Sequence, residues 1–157
     1  MIRNKRGEGY VQVCVLIIAI CMILSVFVTF ACSVNVVRVT ERNVKTVLEI
    51  YVTKNSIRIY NSIKQGTNAT DSIDKEEFKD DLTSFCTFHK VGSFLYHNNA
   101  DGDTEYFITM PEINFSEANK LRLVVKYNTY IPLYFAGIHV STAIVPVTVK
   151  INLEGKF

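Results

Sequence analysis

Three histidines, His89, His97 and His139, are the side chains best placed by ordinary acidity to move a proton or hold a metal near neutral pH. Their spacing fits no paired i, i+4 helical metal site, so each reads as a surface or strand histidine. The run Asn98-Asn99-Ala100-Asp101-Gly102-Asp103 offers the hard oxygens that calcium takes. In EF-hand register, however, His97 falls on the first ligand position and Ile108 on the last, where an acid is required. The run is therefore expected to be a hairpin loop. No phosphate-cradling glycine loop, nucleophile elbow or paired-cysteine zinc motif occurs. An enzyme would need Asp, Glu and His from separate elements to converge. The expectation is a protein with no catalytic residue, metal ligand, cofactor or small-molecule substrate.

Charge distribution is more informative. The chain has 157 residues, enough for one ordinary domain and a membrane segment. Its 17 basic and 15 acidic residues leave a net charge of +2 and no long basic stripe, which argues against nucleic-acid binding through phosphate neutralisation. From Gly9 to Val37 there is no charge at all. Val13–Ala31 is apolar except for Ser25 and Thr29, and at about 1.5 Å per residue it spans roughly 28 Å, close to the hydrocarbon core of a bilayer. A domain this small could hardly cover such a helix on every side. Arg3, Lys5 and Arg6 precede it, and retention of positive charge on the cytoplasmic side puts the N-terminus inside and Arg38 onward outside. The expected division is a cytoplasmic leader over 1–9, a transmembrane helix over 10–37 and an extracytoplasmic domain over 38–157, in the cell membrane with the lipid bilayer as first partner.

Cys14, Cys21 and Cys32 lie in the apolar run, leaving Cys86 as the one outside cysteine. An intradomain disulfide needs an even set, so Cys86 is read as buried and reduced, with an intermolecular bridge as the alternative. Thr29-Phe30-Ala31-Cys32 also allows a lipoprotein-type modification of Cys32. On a 100° wheel Cys14, Cys21, Ser25 and Cys32 form a narrow stripe of small residues, either a seam for another helix or a chance grouping.

Glycine and proline, the strongest helix breakers, are absent from Tyr10 to Gln65. The interval reads as one nearly continuous helix with a break near Lys54-Asn55-Ser56. Glu41, Lys45 and Glu49 are spaced to support its exposed side. Val44, Val47, Leu48 and Tyr51 form a stripe that can dock on a sheet. Thr67–Ser72 reads as a loop. Asp74 and Glu77 resemble a capping box, opening a short helix whose buried face is Phe78, Leu82 and Phe85. From Ser93 the period becomes two. Phe94–His97 and Glu105–Met110 flank the hairpin loop. Leu121 to Ile131 and Ala143 to Leu153 alternate as strands with one buried face. Pro146 places the last strand at an edge or at a bulge. Tyr127, Tyr130, Tyr134 and Phe135 crowd the connection before Gly137. Tyr130 and Tyr134 are the candidate partner surface, with core packing and a tyrosine rim as the alternative. The fold class is α+β: a long N-terminal helix, membrane-spanning in its first part, packed by its outer part on a small, mainly antiparallel sheet.

The N-terminus Lys5-Arg6-Gly7-Glu8-Gly9-Tyr10-Val11-Gln12, running straight into the apolar helix, resembles a type IV prepilin leader. It is most similar to TadE-type minor pilins, and the whole layout, including Tyr130–Leu133 before a Gly-containing loop, resembles an uncharacterised Gram-positive family often encoded on mobile elements. The resemblance implies leader-peptidase cleavage between Gly7 and Glu8, with Gln12 at the fifth mature position where the family has Glu. The other register, after Gly9, starts at Tyr10 and puts Cys14 fifth. It further implies a pilin-like fold and a non-enzymatic component of a bacterial envelope assembly, with other pilin-like subunits or envelope proteins as partners. A monomeric, membrane-tethered extracellular binding module is the alternative.

Overall fold

The structure, a computed structural model, describes residues 5–65, 74–116, 119–135 and 137–153. It is an α+β protein. Helix α1 covers Lys5–Lys54, α2 Ser56–Lys64 and α3 Lys75–Cys86. Six strands follow: β1 His89–Val91, β2 Phe94–Asn98, β3 Thr104–Thr109, β4 Glu112–Ser116, β5 Asn119–Phe135 and β6 Ile138–Asn152. The chain divides into two compact units, 1–35 and 36–157. The expected loop at Thr67–Ser72 and the side chain of Leu121 lie outside the described residues.

In the first unit α1 begins at Lys5, ahead of the expected start at Tyr10, and runs through Gly7 and Gly9. A glycine costs a helix about 1 kcal/mol, and the apolar turns that follow carry it. From Tyr10 to Phe30 almost every large apolar side chain is exposed. The hydroxyls turn inward instead: Thr29 Oγ1 donates to the Ser25 carbonyl and Ser33 Oγ to the Thr29 carbonyl, both at 2.9 Å. The helix is long and apolar enough to cross a bilayer, which makes it a candidate membrane anchor.

In the second unit the same helix becomes a core element. Val44, Val47, Leu48, Tyr51 and Val52 are buried, as the stripe predicts. The break falls at Asn55, whose side-chain amide donates to the Tyr51 carbonyl at 3.2 Å, the acceptor also used by its own backbone N–H. Competition of this kind is why Asn interrupts helices. Among the described ion pairs none joins Glu41, Lys45 and Glu49; the one cation of α1 that is paired is Lys54 at its end, which reaches α3 at Glu77, 2.8 Å away, and at Asp81, 3.7 Å away.

Asp74 caps α3, accepting from the backbone N–H groups of Glu76 and Glu77. The reciprocal half of the capping box does not form. Glu77 turns to Lys54 and Asn55, and the Asp74 N–H goes to the Tyr51 hydroxyl. The buried face of α3 is Phe78, Leu82 and Cys86, whereas Phe85 is exposed. Spacing i, i+4, i+8 wins over i, i+4, i+7 because the neighbouring core lies on that side of the helix.

The sheet is antiparallel, ordered β1-β2-β3-β5-β4, with β6 also paired to β5. β3 and β4 lie end to end along one edge of the long β5, interrupted around Pro111, which has no N–H to give a ladder. β6 takes the other edge and pairs with no other described strand, the edge position that Pro146 predicts. Its register shift falls at Leu133/Tyr134 instead, where Val140 is the extra residue. Leu123, Val125, Tyr127, Thr129 and Ile131 of β5 and Val147, Val149 and Ile151 of β6 point into the core against α1 and α3.

Candidate interaction surface

The outer face of the sheet carries a cross-strand row that no short sequence window contains. Register aligns His89, Tyr96, Phe107, Tyr130 and Ile144 across β1, β2, β3, β5 and β6. Tyr96 stacks on Phe107 with ring centroids 4.9 Å apart, and Phe107 on Tyr130 at 4.8 Å. Phe94 closes edge-on against Phe107 and Tyr130 at 5.5 and 5.7 Å. Both faces of the Phe107 ring are therefore occupied by neighbours, and the row presents ring edges outward. Such a row braces the sheet; it leaves no free central ring face on which a base or sugar could stack.

Tyr130 thus belongs to the sheet's own packing, half-buried, while Tyr134 is exposed and meets the His139 ring edge-on at 5.5 Å. The two share a side of β5, yet they have different surroundings. Sequence reading found Tyr130 and missed Phe94, Tyr96 and Phe107 as its partners. Their signal was the alternation of aromatics in β2 and β3, but pairing register was needed to join them.

On the apolar part of α1, continuous helical backbone carries Cys14, Cys21, Ser25 and Cys32 along one side; the three cysteines are free and exposed. Gly7 and Glu8 have helical backbone, with the Glu8 side chain outside the described residues, and Gln12 is exposed.

The remaining polar groups lie apart. His97 Nε2 is 3.7 Å from Glu105 and His139 Nε2 is 3.1 Å from Thr142 Oγ1. Among the described residues no three His, Cys, Asp or Glu side chains stand close enough to share a cation. The hairpin loop is an Asx-type turn: Asn99 Oδ1 accepts from the backbone N–H groups of Asp101 and Asp103, at 3.0 and 2.9 Å. Inside, burial raises the pKa of three groups packed between helix and sheet. The Cys86 thiol is pushed up to about 11, and the Tyr106 and Tyr127 phenols are also raised; Tyr106 is partly compensated by a hydrogen bond with Thr40. All three stay neutral and protonated, as core groups rather than reactive ones.

No protein-family model, no curated protein and no solved structure matches the chain.

Proposed function

We propose that the chain is a non-enzymatic, pseudopilin-like or TadE-like component of a bacterial envelope or mobile-element assembly, anchored in the cell membrane with its domain outside. The observation that carries this reading is the double use of α1. Up to about Phe30 its apolar side chains are uncovered, and from Val44 to Val52 it is part of a buried core. A helix that needs a bilayer in one part and a sheet in the other is the pilin-like solution to anchoring a small domain. The basic residues Arg3, Lys5 and Arg6 support an N-terminus held inside. The small-residue line Cys14, Cys21, Ser25 and Cys32 would let another subunit's helix approach.

The test is alanine replacement at Gly7 and at Gln12. Gly7→Ala should block leader cleavage, and Gln12→Ala should leave cleavage intact but reduce co-purification with other subunits. Unchanged processing and unchanged assembly in both variants would overturn the pilin-type mechanism. The alternative, a monomeric tethered binding module, is favoured by the exposure of Tyr134 beside His139. It requires an uncut N-terminus and capture of a partner without the apolar helix.

A further inference from the structure

The tip of the β5–β6 hairpin breaks the rule by which the rest of the second unit buries its apolar groups. Along the core side of β5, Ile131 is 5% exposed, Leu133 is half-buried and Phe135 is 45% exposed. β6 follows the same gradient, from buried Val147 through half-buried Val145 and Ala143 to exposed Ser141. Beyond it Ile138 and Val140 are 70% and 66% exposed, beside Tyr134 at 53%. From Tyr127 to Val149 the sequence has no Asp, Glu, Lys or Arg, so no charge on either strand marks this tip as a surface meant for water.

The burial pattern also says which end of the unit the tip occupies. Tyr106 lies one residue from the Phe107–Tyr130 pair, on the tip side, and its hydroxyl is hydrogen-bonded to Thr40. Val44, Val47, Leu48, Tyr51 and Val52 are buried, so α1 runs on from Thr40 over the covered part of the sheet, away from the exposed tip. Val36 and Val37, half-buried at the edge of the core, must then lie on the tip side of Thr40. These two residues close the charge-free run that starts at Gly9. The uncovered hairpin and Val36, where the second unit begins, therefore belong to the same end of that unit.

We propose that Tyr134, Phe135, Ile138 and Val140 seat in the interfacial layer of the bilayer that anchors the chain, making the hairpin tip a second membrane contact. This rests on the membrane-anchor reading. Aromatic rings with a polar edge and aliphatic side chains without charge are the residues that favour that layer, where an apolar face sits about 5–10 Å into the headgroup–acyl boundary. Gly137, with φ of 78°, holds the turn between Phe135 and Ile138 in a backbone state that L side chains rarely adopt, so the tip can stay narrow.

The chain contains no tryptophan, so single-Trp variants of the full protein in liposomes report position directly. The variants are Ile138→Trp at the tip, Phe27→Trp in the apolar segment and Ile57→Trp in α2; Tyr134→Trp replaces Ile138→Trp if that variant fails to fold. With acyl chains brominated near the headgroup, emission from the tip and from Phe27→Trp should fall by roughly half or more relative to plain lipid, as expected for that depth, while Ile57→Trp stays unchanged. An unquenched tip with a quenched Phe27→Trp overturns the hairpin contact and leaves the anchor standing. If neither is quenched, both readings fall. A tip emission that is unquenched, blue-shifted and dependent on the protein-to-lipid ratio identifies a second copy of the chain as the occupant, and it too overturns the lipid contact.

Discussion

The Tyr51 hydroxyl accepts the backbone N–H of Asp74 at 2.8 Å, joining the buried end of α1 to the first residue of the α3 cap across 23 positions of sequence. The same hydroxyl receives Arg58 at 3.3 Å, and the Tyr51 ring packs edge-on against Phe78 at 5.7 Å. One side chain thus supports α1, α2 and α3 at once, because its ring fills core volume while its oxygen takes the N–H that the capping box leaves unpaired.

Tyr51→Phe keeps the ring and removes that acceptor. It should lower stability by about 1–2 kcal/mol, the usual cost of leaving one partly buried donor unpaired. Asp74→Ala, which strips the α3 cap, should cost about 1 kcal/mol. The double variant should lose less than the sum, since both changes loosen the same helix start. Thermal unfolding of the full chain in detergent, followed by near-ultraviolet circular dichroism, checks all three.

Acid should act through Glu77. Its hydrogen bond to Lys54, with help from Asn55 and Arg58, holds its carboxyl below the ordinary value of 4.5. The folded state therefore binds this proton less readily than the unfolded chain. The stabilisation is present above about pH 4.5 and is lost as pH falls through the lower folded value. Glu77→Gln should flatten that part of the melting-temperature profile, and an acid limb identical to the parent's would show the pair to be inconsequential. Lys54 is exposed and Glu77 only half-buried, so the effect should also shrink in high salt.

Cys86 should resist alkylation. Burial raises its thiol from 9.0 to about 11, which at pH 8 lowers the thiolate fraction roughly a hundredfold. With Cys14, Cys21 and Cys32 changed to serine, iodoacetamide should label the native protein slowly and the denatured protein quickly. Rapid native labelling would mean that the α3 core face opens. The raised value also means that stability falls above about pH 9, where the unfolded chain releases this proton and the folded one keeps it.

Much of this architecture is legible in the amino-acid order. The absence of Gly and Pro marks α1, the stripe from Val44 to Tyr51 marks its core side, and alternation marks β5 and β6. What the order does not carry is relation between distant residues. The Tyr96–Phe107–Tyr130 row depends on the register of two strand pairs, and Glu77 leaves its expected cap only because Lys54 and Asn55 stand beside it. Phe85 and Cys86 are one residue apart, so the wheel alone could not tell which would be buried on a short helix. The crowd of aromatics before Gly137 was visible as composition. Its division into a packed Tyr130 and an exposed Tyr134 required the place where the core face of the hairpin runs out.

If the apolar helix belongs to a processed, pilin-like subunit, as proposed, the intact mass of the membrane-extracted protein should be that of a chain that has lost Met1–Gly7 and begins at Glu8. A mass corresponding to an unprocessed start at Met1, or to a lipid-modified chain beginning at Cys32, would contradict that proposal.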